Sequence, residues 1–219
     1  MISVPYFLQQ LRGFWGMAFN QPDWRGRIGL GPEDVVASFY TLLPTMAVIV
    51  VGALIEPRLI NTVISDPALT EAVDAYGLGT WQPAPMAARL LIAILAFGIT
   101  WSLTLGMLIR ISRRLEGEAA MGTMIIGYNW LQFYMRALAV LPLIVFLLTD
   151  SAKIMSFLAL PCFALSISLL WGMLRRALPQ TEWTVIVGII ICMGIVILIA
   201  SFLAAMIGAL FYTPTPRAV

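Results

Sequence analysis

The 219-residue chain is 61% hydrophobic and only 11% charged, with a mean hydropathy of +0.94, whereas a water-soluble domain carries about 25% charged residues. Such a chain cannot cover itself with polar surface, so lipid is its solvent. A net charge of +2 spread along the sequence leaves no footprint for a nucleic-acid partner, and the absence of histidine removes the commonest metal ligand and the commonest general base.

Within residues 4–19, Phe7, Leu8, Leu11, Phe14, Trp15 and Ala18 fall at helical spacing, with Gln9, Gln10 and Arg12 on the other side. The pattern predicts an amphipathic helix, and Tyr6, Trp15 and Trp24 are of the aromatic types enriched at membrane boundaries. Two placements suit it equally, in the headgroup layer or packed on the end of the bundle. Gln9, Gln10, Arg12 and Gly13 interrupt the apolar core that a cleaved signal would need, so the segment is expected to be retained. The run Gln21-Pro22-Asp23-Trp24-Arg25-Gly26-Arg27 breaks the helix. Glu33 and Asp34 follow at the mouth of the next one, where carboxylates complement a helix N-terminus. Residues 1–34 therefore read as an interfacial N-terminal region.

Five apolar runs follow, at 35–55, 90–109, 122–148, 154–174 and 183 to about 212, each able to cross ~30 Å of hydrocarbon at ~1.5 Å per residue. The expected fold is all-α, a polytopic bundle of five transmembrane helices over 35–212 with a tail at 213–219. Pro44, Pro142 and Pro161 predict kinks in the first, third and fourth spans. In the long connection at 56–85, Ser65-Asp66-Pro67 offers a cap and first turn, and Gly77 offers a stop. A short helix with Ala68, Leu69, Ala72, Val73 and Tyr76 on one face is expected there, resting on the membrane or covering the mouth of the bundle. Basic residues near the span ends divide unequally. Arg12, Arg25, Arg27, Arg110, Arg113, Arg114, Arg175 and Arg176 fall on one side, Arg58, Arg89, Lys153 and Arg217 on the other. The richer side is read as cytoplasmic, with the N-terminus inside and the C-terminus outside.

The third span carries the most informative residues. Tyr128, Asn129, Gln132 and Arg136 form one helical stripe, and Arg136 is its single cation. A guanidinium facing acyl chains costs at least ~2.5 kcal/mol, so Arg136 must face protein or water. No Asp or Glu lies within the five runs, which argues against a carboxylate proton relay or a cation site and leaves Arg136 without a buried counter-ion. Two readings fit the stripe. In one, it bonds to hydroxyls of the first span (Ser38, Tyr40, Thr41, Thr45) or the second (Thr100, Thr104). In the other, it lines a polar cavity where Arg136 holds an anionic headgroup or small anion.

On the fifth span, Ala200, Ser201, Ala204, Ala205 and Gly208 form a small-residue face that suits close helix packing, within the bundle or between copies. Cys162 and Cys192 sit in apolar stretches and suggest neither a disulfide nor a metal site. No phosphate-binding glycine loop, nucleophile elbow or zinc-protease signature occurs, so no catalytic residue, cofactor or metal is expected.

The five-span layout, the amphipathic N-terminus and the Gly127-Tyr128 pair resemble the Yip-domain family of small membrane proteins. The runs Gly127-Tyr128-Asn129-Trp130, Phe14-Trp15-Gly16-Met17 and Gln21-Pro22-Asp23-Trp24-Arg25 are similar to an uncharacterised bacterial inner-membrane branch with that layout. The resemblance implies a bacterial cytoplasmic-membrane location. Eukaryotic members are linked to vesicle trafficking and small GTPases, a role that does not carry over by fold alone. The expected function is a non-enzymatic scaffold, accessory subunit or lipid-contacting partner, in contact with membrane lipid and with a protein partner or a second copy through the fifth span. The alternative is a channel or transporter for a small solute or anion.

Overall fold

The computed structural model describes residues 4–64 and 85–210, and every regular element within them is helical. In chain order these are α1 (Val4–Ala18), α2 (Trp24–Arg27), α3 (Pro32–Ser38), α4 (Leu42–Ile64), α5 (Met86–Glu116), α6 (Glu118–Thr149), α7 (Ala152–Ala177) and α8 (Trp183–Leu210). A 3-10 turn, Phe39–Thr41, joins α3 to α4. Five segments are long and apolar enough to cross a membrane: Pro32–Leu59, α5, α6, α7 and α8 up to Ala204. The short helix expected near residues 67–76 and the tail 213–219 lie outside the described residues.

The helices exceed the apolar runs that predict them. Helix α4 continues through Pro57 to Ile64, into the expected loop. Helices α6 and α7 continue unbroken through Pro142 and Pro161. Near the third proline, Pro44, a 3-10 turn over Phe39–Thr41 precedes the helix that holds it.

Successive spans run antiparallel. At one end Arg58 of α4 meets Asp150 beyond α6 at 2.6 Å, and Arg89 Nη1 of α5 donates to the Ala53 carbonyl at 3.4 Å. At the opposite end the Glu116 carboxylate accepts from the Gln180 N–H at 2.9 Å and the Thr181 hydroxyl at 2.8 Å, tying the α5–α6 corner to the α7–α8 turn. That corner is a single residue, Gly117, whose φ of +84° lies where a side chain is strained. Helix α6 is the axis of the bundle, packed mainly against α7, α4 and α5, while α8 leans chiefly on α5. Phe157 (79% exposed) on α7 and Phe202 (66%) on α8 show how far the outer faces are left for lipid.

The N-terminal helix is part of the core. Phe14 and Met17 are fully buried, and Trp24 and Ile28 of the following turn join the same cluster. Phe7 packs tilted against Trp130 at 5.1 Å and edge-on against Phe133 at 5.7 Å, Phe14 stacks on Tyr134 at 5.2 Å, and the Tyr134 hydroxyl donates to the Leu11 carbonyl at 2.9 Å. Residues 7–14, about 10 Å of helix, thus meet little more than one turn of α6, so α1 crosses α6 and does not run beside it. Its far end rests on α7, where Gly172 is needed because any Cβ there would run into the Ala18 carbonyl. The two sequence placements of α1 are therefore compatible: it packs on the bundle and lies across the direction of the spans.

Candidate functional site

The four stripe residues point toward α3, the 3-10 turn and α5, but they do not share one environment. Asn129, with no exposed surface, is the centre of a closed network. Its Nδ2 donates to Ser38 Oγ at 2.8 Å, and its Oδ1 accepts from the Trp101 indole N–H at 3.0 Å. Its backbone carbonyl accepts from Thr41 Oγ1 at 3.3 Å. Ser38 Oγ in turn donates to the Val35 carbonyl at 2.7 Å, and Thr41 Oγ1 also reaches the Ser38 carbonyl at 2.7 Å. Three successive spans are joined through one amide.

Of the hydroxyls named from sequence, Ser38 and Thr41 take part. Thr45 and Thr100 bond back to the carbonyls of Thr41 and Ala96, and Tyr40 faces outward. Trp101 was not among the expected partners, although it lies three residues before Thr104 and so on the same helical face. Tyr134 was likewise missed, since its polar tip serves a helix that sequence alone left unplaced.

Tyr128, also buried and next to Asn129 in sequence, belongs to a second cluster with Thr104, Gln132 and Arg136. Thr104 approaches the phenol, yet its wholly buried Oγ1 completes no hydrogen bond of good geometry. Arg136 is partly buried, and its guanidinium lies over the face of Phe97 at 5.3 Å. That contact supplies cation–π attraction of about 0.5–2 kcal/mol. No ion pair involves Arg136 among the described residues. Arg136 is also near enough to interact electrostatically with Tyr128, about two turns earlier on the same helix.

The small-residue face of α8 divides. Ala200 is fully buried within the bundle, Ala204 partly buried and Ser201 exposed, and the neighbour that covers α8 is chiefly α5. The side chains of Ala205 and Gly208 lie outside the described residues. Among the described residues no group of three or more Asp, Glu, Cys or His side chains could hold a metal ion.

The architecture is that of a five-helix membrane protein with a polar brace between its first three spans. No protein-family model, curated protein or solved structure matches the chain.

Proposed function

We propose that the chain is a non-enzymatic integral membrane protein, a scaffold or accessory subunit of a bacterial cytoplasmic-membrane assembly, with its arginine-rich end in the cytoplasm. The observation that carries this reading is Asn129: each side-chain polar atom is used to join helices, so this buried amide is a brace and not a pathway.

Helix lengths support a consistent depth. From Ser38 to Arg58, from Trp130 to Asp150 and from Gly172 back to Ala152 there are 20 residues in each case, about 30 Å of helix and one hydrocarbon thickness. The Asn129 brace and the crossing helix α1 then lie at the cytoplasmic boundary, and the remaining turns of α6 project into water. Arg136 is about 10 Å inside that boundary, with its guanidinium over Phe97. Broad apolar faces on α7 and α8 remain for lipid and for a partner subunit or second copy.

Purification in mild detergent followed by native mass spectrometry tests the scaffold role. A copurifying membrane protein or a stable homo-oligomer is the expected result, and a monomer carrying neither protein nor lipid would overturn it. The second reading, a channel or transporter for a small solute or anion, draws on the partly buried Arg136, which has no carboxylate partner among the described residues, and on the Thr104 hydroxyl, which completes no hydrogen bond of good geometry among them. In that case Arg136→Leu abolishes anion flux in liposomes while the protein still folds; unchanged flux rejects it.

A further inference from the structure

The face of α1 turned away from the bundle carries Val4, Pro5, Leu8, Gln9 and Arg12, and together with Arg27 at the end of α2 it lines an open cleft of about 680 Å³. Val4 is 72% exposed and Leu8 45% exposed. An interfacial helix that already buries Phe14 and Met17 on its inner side has no folding reason to present apolar residues on the outer one. The cleft is therefore apolar along its α1 wall and doubly cationic at its rim.

No carboxylate is among the lining residues, and neither Arg12 nor Arg27 forms an ion pair among the described residues. At the same end Arg113 pairs with Glu118 at 3.7 Å, and Arg175 donates to the Thr181 carbonyl at 2.8 Å. Asp34 accepts from Tyr6 at 2.9 Å and from the Gly31 N–H at 3.1 Å. The cleft walls are also fixed relative to one another, because Gln9 Nε2 donates to the Arg27 carbonyl at 3.4 Å and Ile28 is buried against α1 beside Gly13.

We propose that this cleft binds one anionic phospholipid, its headgroup phosphate between the Arg12 and Arg27 guanidiniums and an acyl chain along Val4 and Leu8. Two guanidiniums suit a phosphodiester, to which each can present paired N–H donors. Apolar side chains beside them suit a ligand that is charged at one end and hydrocarbon at the other. The inference rests on the reading that α1 lies at the membrane boundary; it does not require the scaffold role.

The test uses the full chain in mild detergent, titrated with phosphatidylglycerol or phosphatidylcholine and followed by native mass spectrometry. One phosphatidylglycerol should be retained in preference to phosphatidylcholine. Arg12→Gln/Arg27→Gln should weaken retention by about thirtyfold, the change expected for two arginines near an anionic surface, whereas Arg113→Gln/Arg114→Gln should leave it unchanged. Leu8→Asn, which keeps both charges, should weaken it severalfold, and 10-fold excess inorganic phosphate should not displace the lipid. Equal retention of the two lipids, equal loss in the two arginine variants, or displacement by inorganic phosphate with no effect of Leu8→Asn would each overturn the proposal. A protein partner that still copurifies while lipid preference is lost would sink the cleft alone and leave the scaffold reading intact.

Discussion

Replacing Asn129 with alanine removes two side-chain hydrogen bonds at once, to Ser38 Oγ at 2.8 Å and from the Trp101 indole at 3.0 Å. Interhelical bonds of this kind average ~0.6 kcal/mol in membrane proteins, because the unfolded chain in lipid also finds partners, so the pair gives about 1.2 kcal/mol. The larger effect is what stays behind: Trp101 keeps an N–H aimed at a site with no acceptor, an omission that costs about 1–3 kcal/mol. The expected loss is therefore about 2–4 kcal/mol. Reversible unfolding in mixed micelles, followed by tryptophan fluorescence, reads it directly. A double-mutant cycle with Ser38→Ala separates the shared bond, for which a coupling of at least ~0.5 kcal/mol is expected. A loss below ~0.5 kcal/mol for Asn129→Ala, or strict additivity with Ser38→Ala, would show that the amide braces nothing and would remove the main support for a structural third span.

Other consequences follow from the same geometry. Gly172→Ala places a Cβ against the Ala18 carbonyl, so α1 should lift from α7; hydrogen exchange at the amides of α1 should accelerate by at least tenfold, and unchanged protection would refute the close contact. Gly117→Ala forces a side chain into a φ of +84° and should destabilise the protein by about 1 kcal/mol, measurable in the same unfolding assay. The exposed Arg58–Asp150 pair, with side chains 54% and 65% exposed, should contribute little, so Asp150→Asn should shift stability by less than about 1 kcal/mol. Burial, with the hydrogen bond to Asp34 and the neighbouring Asp34 and Glu33 charges, raises the Tyr6 phenol to about 12. A raised folded value makes the Tyr6 contribution complete below the ordinary tyrosine value near 10. The contribution disappears as pH climbs through about 12. Between these limits wild type should lose α1 docking faster than Tyr6→Phe, as read by amide exchange of α1.

The five spans could be read from composition because any run of some twenty uncharged apolar residues must hide its backbone within a helix once water is absent. The same argument fixed α1 as amphipathic and grouped Tyr128, Asn129, Gln132 and Arg136 on one face, since helical spacing is a local property. Spacing could not say that Asn129 would be closed off by Ser38 and Trp101 while Arg136 rested on Phe97, because those partners lie 28 to 91 residues away in the hydrogen-bonded pairs and depend on how three helices are rotated about their axes. Nor could it choose between a free interfacial α1 and a packed one. That choice was made by Gly172 and the Tyr134 hydroxyl, which let a short helix cross two long ones at close range. Local periodicity sets which side chains share a face; only tertiary packing decides which polar atoms on that face meet a partner.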